Sequence, residues 1–324
     1  MPEDSQSATP LERWVSLAGN VIAPATATSA LLFYFGYVSS RSQYEYFGLD
    51  VDTIGLTTQG FIMRSPQPLL VPLLVLSVVG AGAVLVNAAI RRRLTSANAH
   101  PEPGPAIRAR RWIGRATAGG LLLMAAGFVL LLLYPLLRDW PSFTLVTPFG
   151  IAVGGSIATY AIGASRFAGN LESAFDPGQD SAALAPGSPA TPLARGSPAL
   201  LRPVVSVFIL VAVAASIFWA TATVAQWTGV GLAQSQAQRL DELPSVILDT
   251  KERLFLTSPG INEVALPSST GQTFHYRYRH LRLLIQGEGR MFLVPDRWSP
   301  SDSTLLVRLD PSVRMQFQFT NQPP

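Results

Sequence analysis

The chain has 324 residues, of which 48% are hydrophobic and only 14% charged, whereas a soluble globular chain carries roughly 25% charge. Too little charge remains to coat two water-facing domains, and a mean hydropathy of +0.29 with apolar blocks about as long as a bilayer is thick makes this a multi-pass membrane protein. The absence of cysteine excludes disulfide frameworks, thiolate metal sites, CxxC redox chemistry and cysteine nucleophiles.

Basic residues number 24 against 20 acidic ones, a formal net charge of +4, and Lys251 is the only lysine. Because seven arginines share one short loop, the basicity reads as a topology signal rather than a nucleic-acid footprint. No nucleic-acid partner is expected.

A bilayer core of about 30 Å needs roughly 20 helical residues. Residues 1–16 form an acidic leader with Arg13 as its only basic residue, whereas the start of a secretory signal is positive, so the first apolar segment, 17–38, reads as a retained span. It is diluted by Pro24, Thr26 and Thr28. After it comes an aromatic loop with the step LDVD, where Asp50 and Asp52 precede an expected short helix over 53–64. Two readings apply to these carboxylates. They are paired oxygen ligands for a divalent cation, or, as we favour, they cap the short helix, since aspartate suits a helix N-terminus.

The second span is expected over 68–90. The loop that follows holds Arg91, Arg92, Arg93, Arg108, Arg110, Arg111 and Arg115, interrupted by a Pro-rich tract at 100–105. Anionic lipid of the inner leaflet is a possible contact for this cluster, although an orienting signal already accounts for it. The third span is expected over 116–137 and the fourth over 143–164, where Pro148 and several glycines weaken the pattern. Gly150 and Gly154 form a GxxxG step that permits close helix approach, expected of a central helix and no argument for dimerisation. Residues 176–202, rich in Pro, Gly, Ala and Ser, have no hydrophobic period and are expected to be a flexible, disordered loop. The fifth span is expected over 203–227. None of the five segments contains Asp, Glu, Lys, Arg or His.

Arginine is retained on the cytoplasmic side. Placing the seven-arginine loop inside puts Arg13, Arg166, Arg195 and Arg202 there too and leaves Arg41, Arg64 and Arg138 outside. The N-terminus is then cytoplasmic, and with five spans the C-terminal domain is extracytoplasmic. Trp14, Trp112, Trp140, Trp219 and Trp227 fall near segment ends, where amphipathic rings favour the interface.

Three regions are thus expected: the leader at 1–16, a helical membrane domain at 17–227, and a stalk with a β-domain at 228–324. In the last, 232–243 reads as a helical continuation, and the pattern then alternates with period two. Strands are expected at 245–249, 253–257, 273–278, 281–286, 290–294, 304–309 and 313–319, with a hairpin turn at Gly287, Glu288 and Gly289. Such a set of mainly antiparallel strands encloses one small core, a sandwich or partly closed barrel. The fold class is an α-helical membrane bundle of about five spans carrying a small, mainly antiparallel β-domain.

Two blocks, YFGYVSSRSQYEYFGLDVDTIGLTTQGFIMRS (34–65) and YRYRHLRLLIQGEGRMFLVPDRW (276–298), resemble a family of uncharacterised actinobacterial multi-pass membrane proteins. The resemblance implies an aromatic FGxD-type first loop, a C-terminal LRLL, turn, FL strand pair, and a cell-membrane location. It brings no activity, ligand or catalytic residue.

Candidate chemistry is sparse. In YRYRHLR, Arg277 and Arg279 fall on one strand face, opposite Tyr276, Tyr278 and His280. With Arg282, Asp50 and Asp52 they form the candidate interaction surface, suited to lipid headgroups or an anionic polymer. The plainer reading makes the tyrosines core and the arginines a solvated face. His275 and His280 have no metal-site spacing, and no HExxH, P-loop, GxGxxG or GxSxG pattern occurs. No cofactor, metal or catalytic residue is expected. The expected role is a non-enzymatic envelope protein that senses or binds through its β-domain, with the loop 44–64 packed beneath that domain and with the lipid bilayer and another membrane or envelope component as partners. The rivals are a channel or transporter for an uncharged solute, lined by Asn20, Thr26, Thr28, Asn87, Ser156 and Thr159, and an accessory subunit of a membrane complex. Spans without ionisable residues argue against a pump.

Overall fold

The computed structural model describes residues 10–98, 103–137, 140, 142–175, 198–256, 258–267 and 269–318. Most of the leader, part of the Pro-rich tract and most of the expected flexible loop lie outside these residues. Helices α1 (Pro10–Glu45), α2 (Val51–Ile54), α3 (Thr58–Arg64), α4 (Pro66–Asn98), α5 (Pro103–Leu132), α6 (Tyr134–Leu137), α7 (Phe143–Phe175) and α8 (Pro198–Gln238) come first. Strands β1 (Ser245–Thr250), β2 (Asn262–Ala265), β3 (Tyr276–Gly287), β4 (Arg290–Pro295), β5 (Leu305–Arg308) and β6 (Val313–Gln318) follow.

Five of the helices are long and apolar enough to cross a membrane: Val21–Glu45, Pro66–Arg92, Arg111–Leu132, Phe143–Ser165 and Val204–Gln238. The chain is therefore a helical multi-pass membrane protein with a C-terminal antiparallel sheet. Three span ends differ from expectation, and the first helix runs on past 38 to Glu45. The third span, α5, stops at Leu132, because Pro135 has no N–H to donate and its ring crowds the preceding turn. The fifth runs on to Gln238 and absorbs most of the stalk, leaving only a 3-10 turn at Leu240–Glu242.

The chain divides into two compact units, Met1–Pro72 with Val224–Pro324, and Leu73–Thr223. The sheet belongs to one unit with the first span. In the second unit α7 is central: 39% of its most apolar stretch is buried, against 6% in α4. Gly154, the second glycine of its GxxxG step, seats α5. A Cβ on Gly154 would stand 2.5 Å from the Met124 amide nitrogen and 2.7 Å from the Gly120 carbonyl oxygen, so only a residue without a side chain lets the two backbones meet.

In the first unit the sheet has the order β5-β4-β3-β1-β6, with β2 also beside β3, and every pairing is antiparallel. It is one open six-stranded sheet, not the expected sandwich or barrel. The long strand β3 replaces two expected strands. Its first half pairs with β2 and its second half with β4, along one edge, while β1 lines the other. Register shifts facing Val246/Leu248 and at Leu283/Ile285 mark bulges, and His280 takes φ 64° at the first of them. Each bulge adds a residue and resets the alternation, which is why the sequence suggests a break there. Residues 253–256 are irregular rather than a strand. The short edge strand β2, with its polar Asn262 and Glu263, shows no apolar alternation.

Both sheet faces carry a core. On one, Val246, Leu248, Tyr278, Leu281, Met291, Leu293 and Val307 pack together. On the other, Leu284, Ile285, Phe292 and Val294 meet residues from far earlier in the chain and from the end of α8.

Candidate functional site

The second face of the sheet is closed by the connection between the first two spans. Tyr44, Val51, Ile54 and Phe61 pack on Ile285 and Phe292, while Phe47, Ala233 and Leu240 pack on Leu284 and Val294. Local sequence explains how the connection takes this shape. Asp50 caps α2, its Oδ1 accepting the Asp52 amide at 3.3 Å, and Gly55 ends the helix at φ 73°, a conformation that glycine adopts without strain. Thr57 then caps α3 by accepting from the Gly60 amide at 3.1 Å. The single helix expected over 53–64 is thus two, bent so that Val51, Ile54 and Phe61 all turn inward.

Backbone approach and polar bonds fix the seam. A Cβ on Gly287 would collide with the Ile54 carbonyl oxygen, and one on Gly229 with the Ser39 carbonyl oxygen, so glycine at these points lets β3 touch α2 and α8 touch α1. Thr304 donates its hydroxyl to the Phe47 carbonyl at 2.7 Å, and Arg290 donates to the Thr53 carbonyl at 3.0 Å. Arg64 donates to the Tyr44 hydroxyl at 2.6 Å. The Trp298 ring lies 4.8 Å from that of Phe47. On α1, Phe33 and Tyr37 meet Phe61 at ring distances of 5.5 and 5.4 Å, which ties the loop to the first span.

Three arginines of the sheet, Arg277, Arg282 and Arg314, are paired with carboxylates. Asp249 stands directly opposite Arg277 on β3 and Arg314 on β6. It is 0% exposed, and accepts from Arg277 at 2.7 and 3.0 Å and from Arg314 at 2.6 and 3.1 Å. Burial alone would push its pKa up, but hydrogen bonds and charge from the two arginines outweigh that and hold the carboxyl below its ordinary value. Asp249 in turn raises the pKa of Arg277 through their hydrogen bond. Asp296 pairs with Arg282 and lies 3.2 Å from His280 Nδ1. Arg282 also donates to the carbonyls of Leu243 and Asp241 at 3.0 and 3.4 Å, clamping β3 to the chain leaving α8. Tyr278 is buried, which raises its pKa, and its hydroxyl accepts the Leu254 amide at 2.8 Å.

Of the candidate interaction surface, Arg282 is 8% exposed and bound to Asp296 and two carbonyls, a buried clamp. Arg277 is half-buried and bound to Asp249. Arg279 is also half-buried, and its Nε is buried without a hydrogen-bond partner among the described residues. Asp50 and Asp52 are exposed, one capping α2 and the other accepting from the Tyr37 hydroxyl at 3.2 Å. Among the described residues no group of three or more His, Cys, Asp or Glu could hold a metal ion. In the arginine loop, Arg91, Arg92, Arg111 and Arg115 are exposed, while the side chains of Arg93, Arg108 and Arg110 lie outside the described residues.

Asp249, Asp296 and Thr304 escaped the sequence reading, which took Gly287 only as a hairpin residue and not as the point where β3 touches Ile54. Asp249 carried a faint signal as the one charge in the apolar run SVILD, but its partners follow only from register. Compared with family models, curated proteins and solved structures, the chain has no significant match.

Proposed function

We propose that this protein is a non-enzymatic membrane component whose spans hold a β-sheet module on the outer face of the cell membrane, where the module binds or senses an envelope partner. The observation that carries this reading is the shared core. The sheet packs on the loop after the first span and on the end of α8, so a load applied to the sheet is delivered to both helices rather than absorbed in a linker. Its charged side chains Asp249, Asp296, Arg277 and Arg282 are committed to one another, which suits a rigid platform more than an acid-base site. The arginine distribution supports the outward side. A solute channel gains little support, because Thr26 and Thr28 are exposed and donate to carbonyls of their own helix.

Protease shaving of intact cells carrying a tag after Pro324, with a lysed control, tests the reading. The tag is expected to be lost from intact cells. Protection until lysis would put the sheet in the cytoplasm and overturn it.

A further inference from the structure

We propose that the groove between α4 and α7 is a discrete binding site for one anionic phospholipid, with its phosphate beside Arg91 and the start of an acyl chain along Ile90, Gly163 and Ala164. The groove lies within the second unit and does not depend on which side of the membrane the sheet occupies. It is a cavity of about 330 Å³ lined by Asn87, Ile90, Arg91, Thr159, Tyr160, Gly163 and Ala164. That volume is at the small end for organic ligands and suits a headgroup with its first carbons.

Four observations point to this occupant. First, the groove sits at the end of a span, since the apolar stretch of α4 closes at Arg92, the depth at which lipid phosphates lie. Second, its polar groups are organised: Asn87 Oδ1 accepts from the Tyr160 hydroxyl at 3.2 Å and from Arg91 Nε at 3.2 Å. One amide thus gathers a phenol and a guanidinium at the mouth, and arginine's planar fork suits a phosphate. Third, Thr159 Oγ1 is buried with no hydrogen-bond partner among the described residues, a deficit that a ligand oxygen or ester would relieve. Fourth, the floor is open, because a Cβ on Gly163 would meet nothing within 4 Å. The rest of the lining is mainly apolar, which favours a lipid over a soluble anion. Arg92, Arg111 and Arg115 near the same span ends add to the local positive field, but do not line the groove.

The test uses the full chain, purified in neutral detergent and offered mixed micelles of phosphatidylglycerol and phosphatidylcholine in equal parts, with retained lipid read by native mass spectrometry. One phosphatidylglycerol is expected to remain in preference to phosphatidylcholine. Gly163→Leu, which fills open space, should abolish retention at unchanged thermal stability. Arg91→Gln should weaken it about fivefold, while Arg92→Gln should not. Retention by Gly163→Leu, equal losses for Arg91→Gln and Arg92→Gln, equal retention of the two lipids, or displacement by inorganic phosphate would each overturn the proposal. If Gly163→Leu fails to fold, the Arg91→Gln and Arg92→Gln pair still decides.

Discussion

The contact between α5 and α7 and the seam beneath the sheet both bury a surface, and they do it by different means. At the first, glycine brings backbone against backbone: Gly120 and Gly127 of α5 face Gly154 and Ile151 of α7. At the second, large rings and aliphatic side chains interlock, and charged groups are paired at their margins. Surrounding solvent accounts for the difference. Between apolar spans, lipid tails are as apolar as leucine, so burial gives little drive and close van der Waals packing between small residues takes over. Where water is the alternative, each buried aromatic or aliphatic side chain contributes about 1.5–3 kcal/mol, and polar groups must be satisfied before they are covered.

The largest expected effect comes from separating the seam. Phe47, Val51, Ile54 and Phe61 cover one face of the sheet, and their burial together rivals the net stability of a whole domain, about 5–15 kcal/mol. Residues 228–324 expressed alone should therefore show no cooperative melting and should bind a hydrophobic dye. A sharp melting transition for that fragment would mean that the loop merely rests on a finished domain.

Next in size is the helix contact. Gly154→Ala drives a Cβ into the Met124 amide and the Gly120 carbonyl and should cost about 3 kcal/mol, read as lost thermal stability in detergent. Gly150→Ala is the matched control, since its Cβ would stand 4.0 Å from Gly127 Cα, an ordinary contact. Equal effects at both positions would show that α5 and α7 do not meet through Gly154.

A charge change probes the sheet. Asp249→Asn leaves Arg277 and Arg314 facing a neutral amide. Breaking a fully buried ion pair costs about 3–5 kcal/mol, but both arginines reach solvent, so about 2 kcal/mol is expected here. The pH dependence has a definite sign. Since the folded-state pKa of Asp249 is lowered, its stabilisation is complete above the ordinary carboxylate pKa of about 3.9 and is lost as pH falls through the depressed value. The wild type should therefore lose stability in acid over a range where Asp249→Asn is flatter. Parallel acid profiles would remove Asp249 from the account.

How much of this was legible in the sequence depends on whether the cause was local. Five spans followed from apolar length, and β6 from the alternation of Val313, Met315 and Phe317. The break at Gly55 and the bulge at His280 were not legible, because a left-handed residue in mid-element leaves no periodic trace, and histidine is no glycine. The pairing of Asp249 with Arg277 and Arg314 joins residues 28 and 65 positions away and exists only once register is fixed. That the loop at 44–64 packs beneath the β-domain was expected and is seen, but which of its residues meet which strand residues, more than two hundred positions later, was not legible. The separation between Arg290 and Thr53, 237 positions, shows the scale of what composition cannot convey.

The smallest effect settles the two readings of Asp50 and Asp52. As a cap, Asp50 contributes about 0.5–1 kcal/mol, because its bond to the Asp52 amide is long at 3.3 Å and its side chain is exposed. Asp50→Ala should lower the melting temperature slightly, and Asp50→Asn, which also accepts from an amide, should restore most of the loss. A calcium-ligand role predicts another pattern: asparagine removes the charge that binds the cation, so both variants would abolish any calcium-dependent rise in melting temperature. With Asp52 already accepting from Tyr37, we expect no such rise, and the order wild type, Asp50→Asn, Asp50→Ala without added calcium. A calcium-dependent rise lost equally in both variants would turn the cap into a cation site.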